Sequence, residues 1–179
     1  MDKSLEGFRW LIIAVLQALG LVLLSQLNQS LATVSLFFFM NGLFVAFPAL
    51  YLPAGQGLAT VVLFSIFYDA GESWSMGTSL LPVMAAFTIL FYLRNKIHLE
   101  RSRVLKPVIL LTNLALYFFY TVMAGLRFGF TPPFIFLNLL HLILSLLILQ
   151  VFAGWLITYH KQVLLMFRVH EGSALRAAK

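Results

Sequence analysis

The chain has 179 residues, of which 61% are hydrophobic and only 10% charged, with a mean hydropathy of +0.96 and a formal net charge of +6. Soluble domains carry about 25% charged residues, so this composition excludes an ordinary water-soluble domain. The chain contains no cysteine, which excludes disulfides, thiol nucleophiles and thiolate metal sites.

Several apolar runs approach the roughly 20 residues that a helix needs to cross about 30 Å of hydrocarbon. Backbone groups in that medium are satisfied only in helices or closed barrels. Barrel strands alternate apolar and polar residues, and runs such as Leu139–Leu149 do not. The chain therefore reads as an all-α integral membrane protein, one domain over residues 1–179, with six transmembrane helices.

The first span is expected over residues 8–27. Lys3 and Arg9 precede its apolar stretch Trp10–Leu24 as in a signal peptide, but Ser25–Ser30 has no small-x-small cleavage pattern, so the span is expected to be retained. A polar turn, Asn28–Ser30, leads to a second span over 31–50. Pro and Gly in Tyr51–Gly57 mark a loop. The third span, 54–69, is the shortest in apolar content, which covers only Leu58–Tyr68. After the polar and acidic segment Asp69–Met76 comes a fourth span, 77–93, with Pro82 in its early turns. The charged loop 94–106 precedes a fifth span, 107–126, where Pro107 suits a first helical position because its missing N–H would have no partner there. A turn at 127–132 leads to the sixth span, 133–159, and a basic tail, 160–179.

Eleven of the twelve Lys and Arg residues fall at the N-terminus, in the loop 94–106 and in the tail. With six spans all three regions share one side, and the positive-inside rule makes that side cytoplasmic. Five spans would split the loop from the tail. Trp10, Tyr92, Trp155 and Tyr159 fall near the inner interface, and Tyr68 and Trp74 near the outer one, as aromatic belts do. The basic loop reads first as a topology determinant and second as a contact for anionic lipid heads or an acidic partner.

Asp69 and Glu72 are the only acidic residues between Glu6 and Glu100. Asp69 has two readings: an ion or substrate contact at membrane depth, or a carboxylate that caps backbone N–H groups of the next segment or pairs with Arg127. Asn138 and His141, at i and i+3 on the sixth span, share a face. They read as a ligand or proton site, or as interhelical hydrogen bonds. Gln17, Asn41, Thr112, Asn113 and Gln150 read as helix–helix contacts. Ala14, Ala18 and Gly20 offer a small-residue face, and Phe37–Phe39 cover too much of a helix circumference for a cofactor box. No catalytic pair, phosphate-cradling loop or metal-ligand spacing is present. No enzyme activity, cofactor, metal or nucleic-acid partner is expected.

The segment Ser65-Ile66-Phe67-Tyr68-Asp69, with Gly77 eight residues after the aspartate and an apolar span ending in Arg94-x-Lys96, resembles the rod shape-determining protein MreD family. Ser65 stands where that family often has Gly. The Pro-containing polar entry to the second span is missing around Asn28–Ala32, and Gln26 matches a Gln often seen at the end of the first span. The resemblance implies a non-enzymatic scaffold in the bacterial inner membrane, acting with MreC and through it with the actin-like MreB, RodA and a class B penicillin-binding protein in peptidoglycan synthesis. It also implies a fold like the substrate-binding subunits of energy-coupling-factor vitamin transporters, with Ser65, Asp69 and Gly77 as its motif residues. The alternative reading is such a subunit itself, a small-molecule importer component using Asp69, Asn138 and His141.

Overall fold

The computed structural model of the protein describes residues 8–71, 75–96 and 102–166. These form six α-helices: α1 (Arg9–Leu31), α2 (Asn41–Tyr51), α3 (Ala54–Gly71), α4 (Leu80–Leu93), α5 (Ser102–Phe128) and α6 (Pro132–Met166). A single 3-10 turn, Ala32–Val34, follows α1, and there is no strand among the described residues. Glu72, Trp74, Lys3 and most of the tail lie outside the described residues.

Among the described residues, three helices are long and apolar enough to cross a membrane, over Trp10–Val34, Val104–Phe128 and Pro132–Val163. α6, with 35 residues, is about 52 Å long at 1.5 Å per residue, well beyond the hydrocarbon thickness. α2 and α4 are shorter apolar helices of 11 and 14 residues. The outward faces are apolar rather than charged: Val15, Leu19 and Leu23 on α1, Leu111 and Phe118 on α5, Phe136, Leu147 and Val151 on α6 are all exposed. In water such a surface would aggregate; against lipid it is the ordinary outer face of a bundle.

The core is built around α2. Every residue from Asn41 to Leu50 is buried. α3, α4 and α5 pack on it, α1 lies mainly along α3, and α6 lies mainly along α5. Aromatic rings fill much of the interior, with Phe44 against Phe64 and Phe39 between Tyr117 and Tyr120. Buried aromatics contribute large contact area and specific edge geometry. The small-residue face of α1 is spent inside the bundle: Ala14 is buried, and a Cβ on Gly20 would sit 2.9 Å from the Phe44 ring.

Two sequence expectations change. The second span, 31–50, is not one helix. α1 continues to Leu31, Ser35 takes a left-handed conformation (φ 54°), and the chain runs non-helically to Met40 before α2 begins. Thr33 and Val34 are β-branched and three consecutive aromatics follow, none of them strong helix formers. The backbone there finds side-chain partners in place of a helical ladder. The fifth helix starts at Ser102, so Pro107 lies in its second turn rather than at its first position. Leu105 and Ile109 are both buried in the core, and that packing holds the extra turn despite the ladder bond that proline cannot make.

Pro48 has a similar consequence inside α2. Lacking an N–H, it leaves the Phe44 carbonyl without its helical donor. Gln17 Nε2 of α1 donates to that carbonyl at 2.7 Å. The proline and the buried glutamine thus form one inter-helix joint.

Candidate functional site

Three polar constellations stand out in an otherwise apolar molecule. The first is the α3–α4 junction. Asp69 lies in the last turn of α3 and is 2% exposed. Its Oδ2 accepts the Gly77 N–H at 2.7 Å, and its two oxygens share the Ser79 N–H at 3.2 and 3.3 Å. Ser79 is the residue that opens α4, so the carboxylate sits at a helix N-terminus, where the macrodipole favours an anion. Gly77 is third in the turn Ser75–Thr78, closed by the Thr78 N–H to the Ser75 carbonyl at 3.1 Å. Its φ of +94° is open to glycine and strained for other residues. A Cβ there would meet nothing within 4 Å; the need for glycine is conformational, not steric. At this eight-residue spacing the Gly77 N–H returns to the carboxylate near the end of α3. Ser65, one turn before Asp69, is buried and donates to the Val61 carbonyl of its own helix at 2.9 Å.

The second constellation holds the break between α1 and α2. Asn28 of α1 spends both ends of its amide on Phe38: Nδ2 donates to the carbonyl at 2.9 Å, and Oδ1 accepts the N–H at 2.8 Å. Asn113 of α5 does the same one step on, donating to the Phe39 carbonyl and accepting the Gly42 N–H, each at 2.9 Å. Ser145 Oγ of α6 accepts the Phe39 N–H at 2.9 Å. His141 Nε2 lies 2.9 Å from the Ser35 carbonyl, and because a carbonyl only accepts, that nitrogen carries the proton. Gly42 is required for close approach, since a Cβ would collide with the Asn113 backbone. Buried backbone outside a helical ladder needs other partners, and here three neighbouring helices supply them. Asn138 belongs to a different contact: its carbonyl and Oδ1 accept from Tyr117 Oη at 2.8 and 3.2 Å, while Nδ2 returns to the Phe134 carbonyl at 2.8 Å.

The third constellation gathers cations at the C-terminal end of α2. Arg94 donates to the Leu52 carbonyl at 3.0 Å and lies 4.0 Å over the Phe91 ring. Lys161 lies 4.7 Å over the Tyr51 ring. A helix C-terminus favours positive charge. Burial pushes the Arg94 guanidinium below its ordinary value, yet arginine stays charged at neutral pH.

Beside the break, a cleft of about 310 Å³ opens between α1, residues 37–41 and the end of α3. Asn28, Phe37, Phe38, Asn41, Phe67 and Tyr68 are among its lining residues, and none of Asp69, Asn138 or His141 is. The structure thus assigns the sequence candidates to separate tasks: Ser65, Asp69 and Gly77 to the α3 end and its turn, His141 to the break, Asn138 to the α5–α6 contact. No three His, Asp or Glu side chains among the described residues are placed to hold a metal ion. Sequence reasoning missed the break and its cleft. The available signals were Ser35, the Asn41–Gly42 pair inside an apolar run, and Asn28, whose side chain turns inward instead of marking a loop. Comparison with protein-family models, curated proteins and solved structures finds no match to this chain.

Proposed function

We propose that the chain is a non-enzymatic, six-span scaffold of the bacterial cell-shape machinery, of the MreD kind, joining peptidoglycan synthesis to MreC and MreB. The observation that carries this reading is the α3–α4 junction. Asp69 and Gly77, the two residues on which the resemblance rests, are tied together by a 2.7 Å hydrogen bond and a positive φ, so their spacing has a physical cause.

Six crossings require α2, α3 and α4, all shorter than the three long helices, to cross as well. α3 has 18 residues, about 27 Å of helix. α2 is only about 16 Å long, so its crossing would have to include the non-helical residues 36–40 that lead into it. The gathering of Arg94 and Lys161 at one end of α2 supports a single basic side, taken as cytoplasmic with both termini. On this reading the protein resides in the inner membrane. MreC, and through it RodA and a class B penicillin-binding protein, would meet its lipid-facing apolar surfaces and the 94–106 loop. The importer reading is weakened, because Asp69, Asn138 and His141 are all engaged within the chain.

Depletion in the native bacterium tests the scaffold. Rounded cells, rescued by the wild-type chain and not by Asp69→Ala, together with co-purification of MreC, are expected. Normal rods after clean deletion, in a cell with no second copy, would refute it.

A further inference from the structure

We propose that the cleft beside the α1–α2 break is a binding site for a small, uncharged, planar molecule carrying a hydrogen-bond donor next to an acceptor, and that Asn41 reads that edge. The inference does not rest on the scaffold reading, since ligand binding and cell shape are measured separately.

Around the break, the other buried amides and hydroxyls have backbone partners. Asn28 and Asn113 each make two hydrogen bonds to backbone, and Ser145 accepts one. Asn41 differs. It is fully buried and lines the cleft, yet neither Oδ1 nor Nδ2 has a partner among the described residues. A buried polar group without a partner is destabilising, and an apolar residue of similar size would avoid that cost. A free amide offers one acceptor and a donor pair side by side, which complements a lactam or primary carboxamide.

The remaining lining fixes the ligand class. Phe37, Phe38, Phe67 and Tyr68 supply ring faces and edges, suited to a flat ring system. No charged side chain lines the cleft, so an ion would lose its hydration without a counter-charge. The volume of about 310 Å³ suits a one- or two-ring molecule, near the small end of ligand pockets. Asn41 shows no surface to water, so entry requires a shift of neighbouring side chains along the cleft wall.

The test uses the full chain in detergent, with nicotinamide and uracil as neutral probes and nicotinate and orotate as charged counterparts, read by saturation-transfer NMR and calorimetric titration. The neutral pair should bind, and the charged pair at least tenfold more weakly. Asn41→Leu should reduce binding of the neutral pair at least tenfold and raise the melting temperature, because it removes an unpaired amide. A structural asparagine would instead show a lowered melting temperature. Gln29→Trp, at an exposed position in the lining, should block binding without unfolding the protein, and covers the case in which Asn41→Leu does not fold. Absence of binding by both neutral probes, equal binding of the charged pair, or unchanged binding in Asn41→Leu would overturn the proposal.

Discussion

Replacing Asp69 by alanine removes the acceptor for two N–H groups, those of Gly77 and Ser79. Hydrogen bonds to a charged group are each worth about 1.5–3 kcal/mol, so the loss should fall near 3–6 kcal/mol. Side-chain hydrogen bonds between transmembrane helices average nearer 0.6 kcal/mol, but in those the partners are neutral and find substitutes when the helices separate. Here the acceptor is a carboxylate at a helix N-terminus, and the Ser79 donor is buried. Asp69→Asn retains one acceptor oxygen and turns an NH₂ toward the other donor, so it should cost roughly half as much. Gly77→Ala forces a Cβ into a left-handed conformation for about 1–2 kcal/mol, with no steric contribution. Because both changes open the same turn, Asp69→Ala with Gly77→Ala should cost less than the sum. Denaturant titration of the purified chain in micelles, followed by tryptophan fluorescence, measures all four variants. A stability for Asp69→Ala within 0.5 kcal/mol of wild type, on the scale of neutral surface changes, would show that the junction does not hold α4 and would refute the account of the spacing.

Asn113→Leu should cost about 2–4 kcal/mol by leaving the Phe39 carbonyl and the Gly42 N–H unmet, and Gly42→Ala should fail to give a monodisperse protein in detergent because the α2–α5 backbones cannot part cheaply. Gln17→Leu should destabilise by about 1–3 kcal/mol, and adding Pro48→Ala should recover part of the loss by giving the Phe44 carbonyl a helical donor again; additive effects in that double-mutant cycle would break the proposed link. Reporter fusions after residue 98 and at the C-terminus should both report cytoplasm, and a periplasmic signal from the first would reverse the membrane layout.

Several features of the bundle were legible in the sequence because they follow from solvent and length alone. Continuous apolar runs without alternation gave helices, and Pro–Gly clusters gave the boundary between α2 and α3, where the helices end at Tyr51 and resume at Ala54. Asp69 could be read as a cap because a lone carboxylate with no basic neighbour in its helix needs donors, and the nearest are the N–H groups of the next helix. The break at 35–40 was not legible. Hydropathy scores Leu36–Met40 as good membrane helix, and the opposing tendency lies in Asn28, Asn113, His141 and Ser145, which are distant in sequence. Asn138 and His141 show the same limit: sharing a helix face did not give them a shared purpose, because different segments pack on them.

The break also explains why α2 can be the most buried helix among the described residues. A continuous helix over 31–50 would continue from α1 and could not fold back beside it without a turn. The non-helical stretch, with Ser35 left-handed at its start, reverses the chain within the bundle and seats Gly42 on α5. Its buried backbone must then bond to something other than a helical ladder. Amide side chains answer that need because each presents a donor and an acceptor at the spacing of a peptide group, so Asn28 and Asn113 each stand in for a missing strand of backbone. Asn28 of α1, Asn113 of α5 and His141 and Ser145 of α6 therefore serve one chain reversal, and their loss should act through α2 before any other helix.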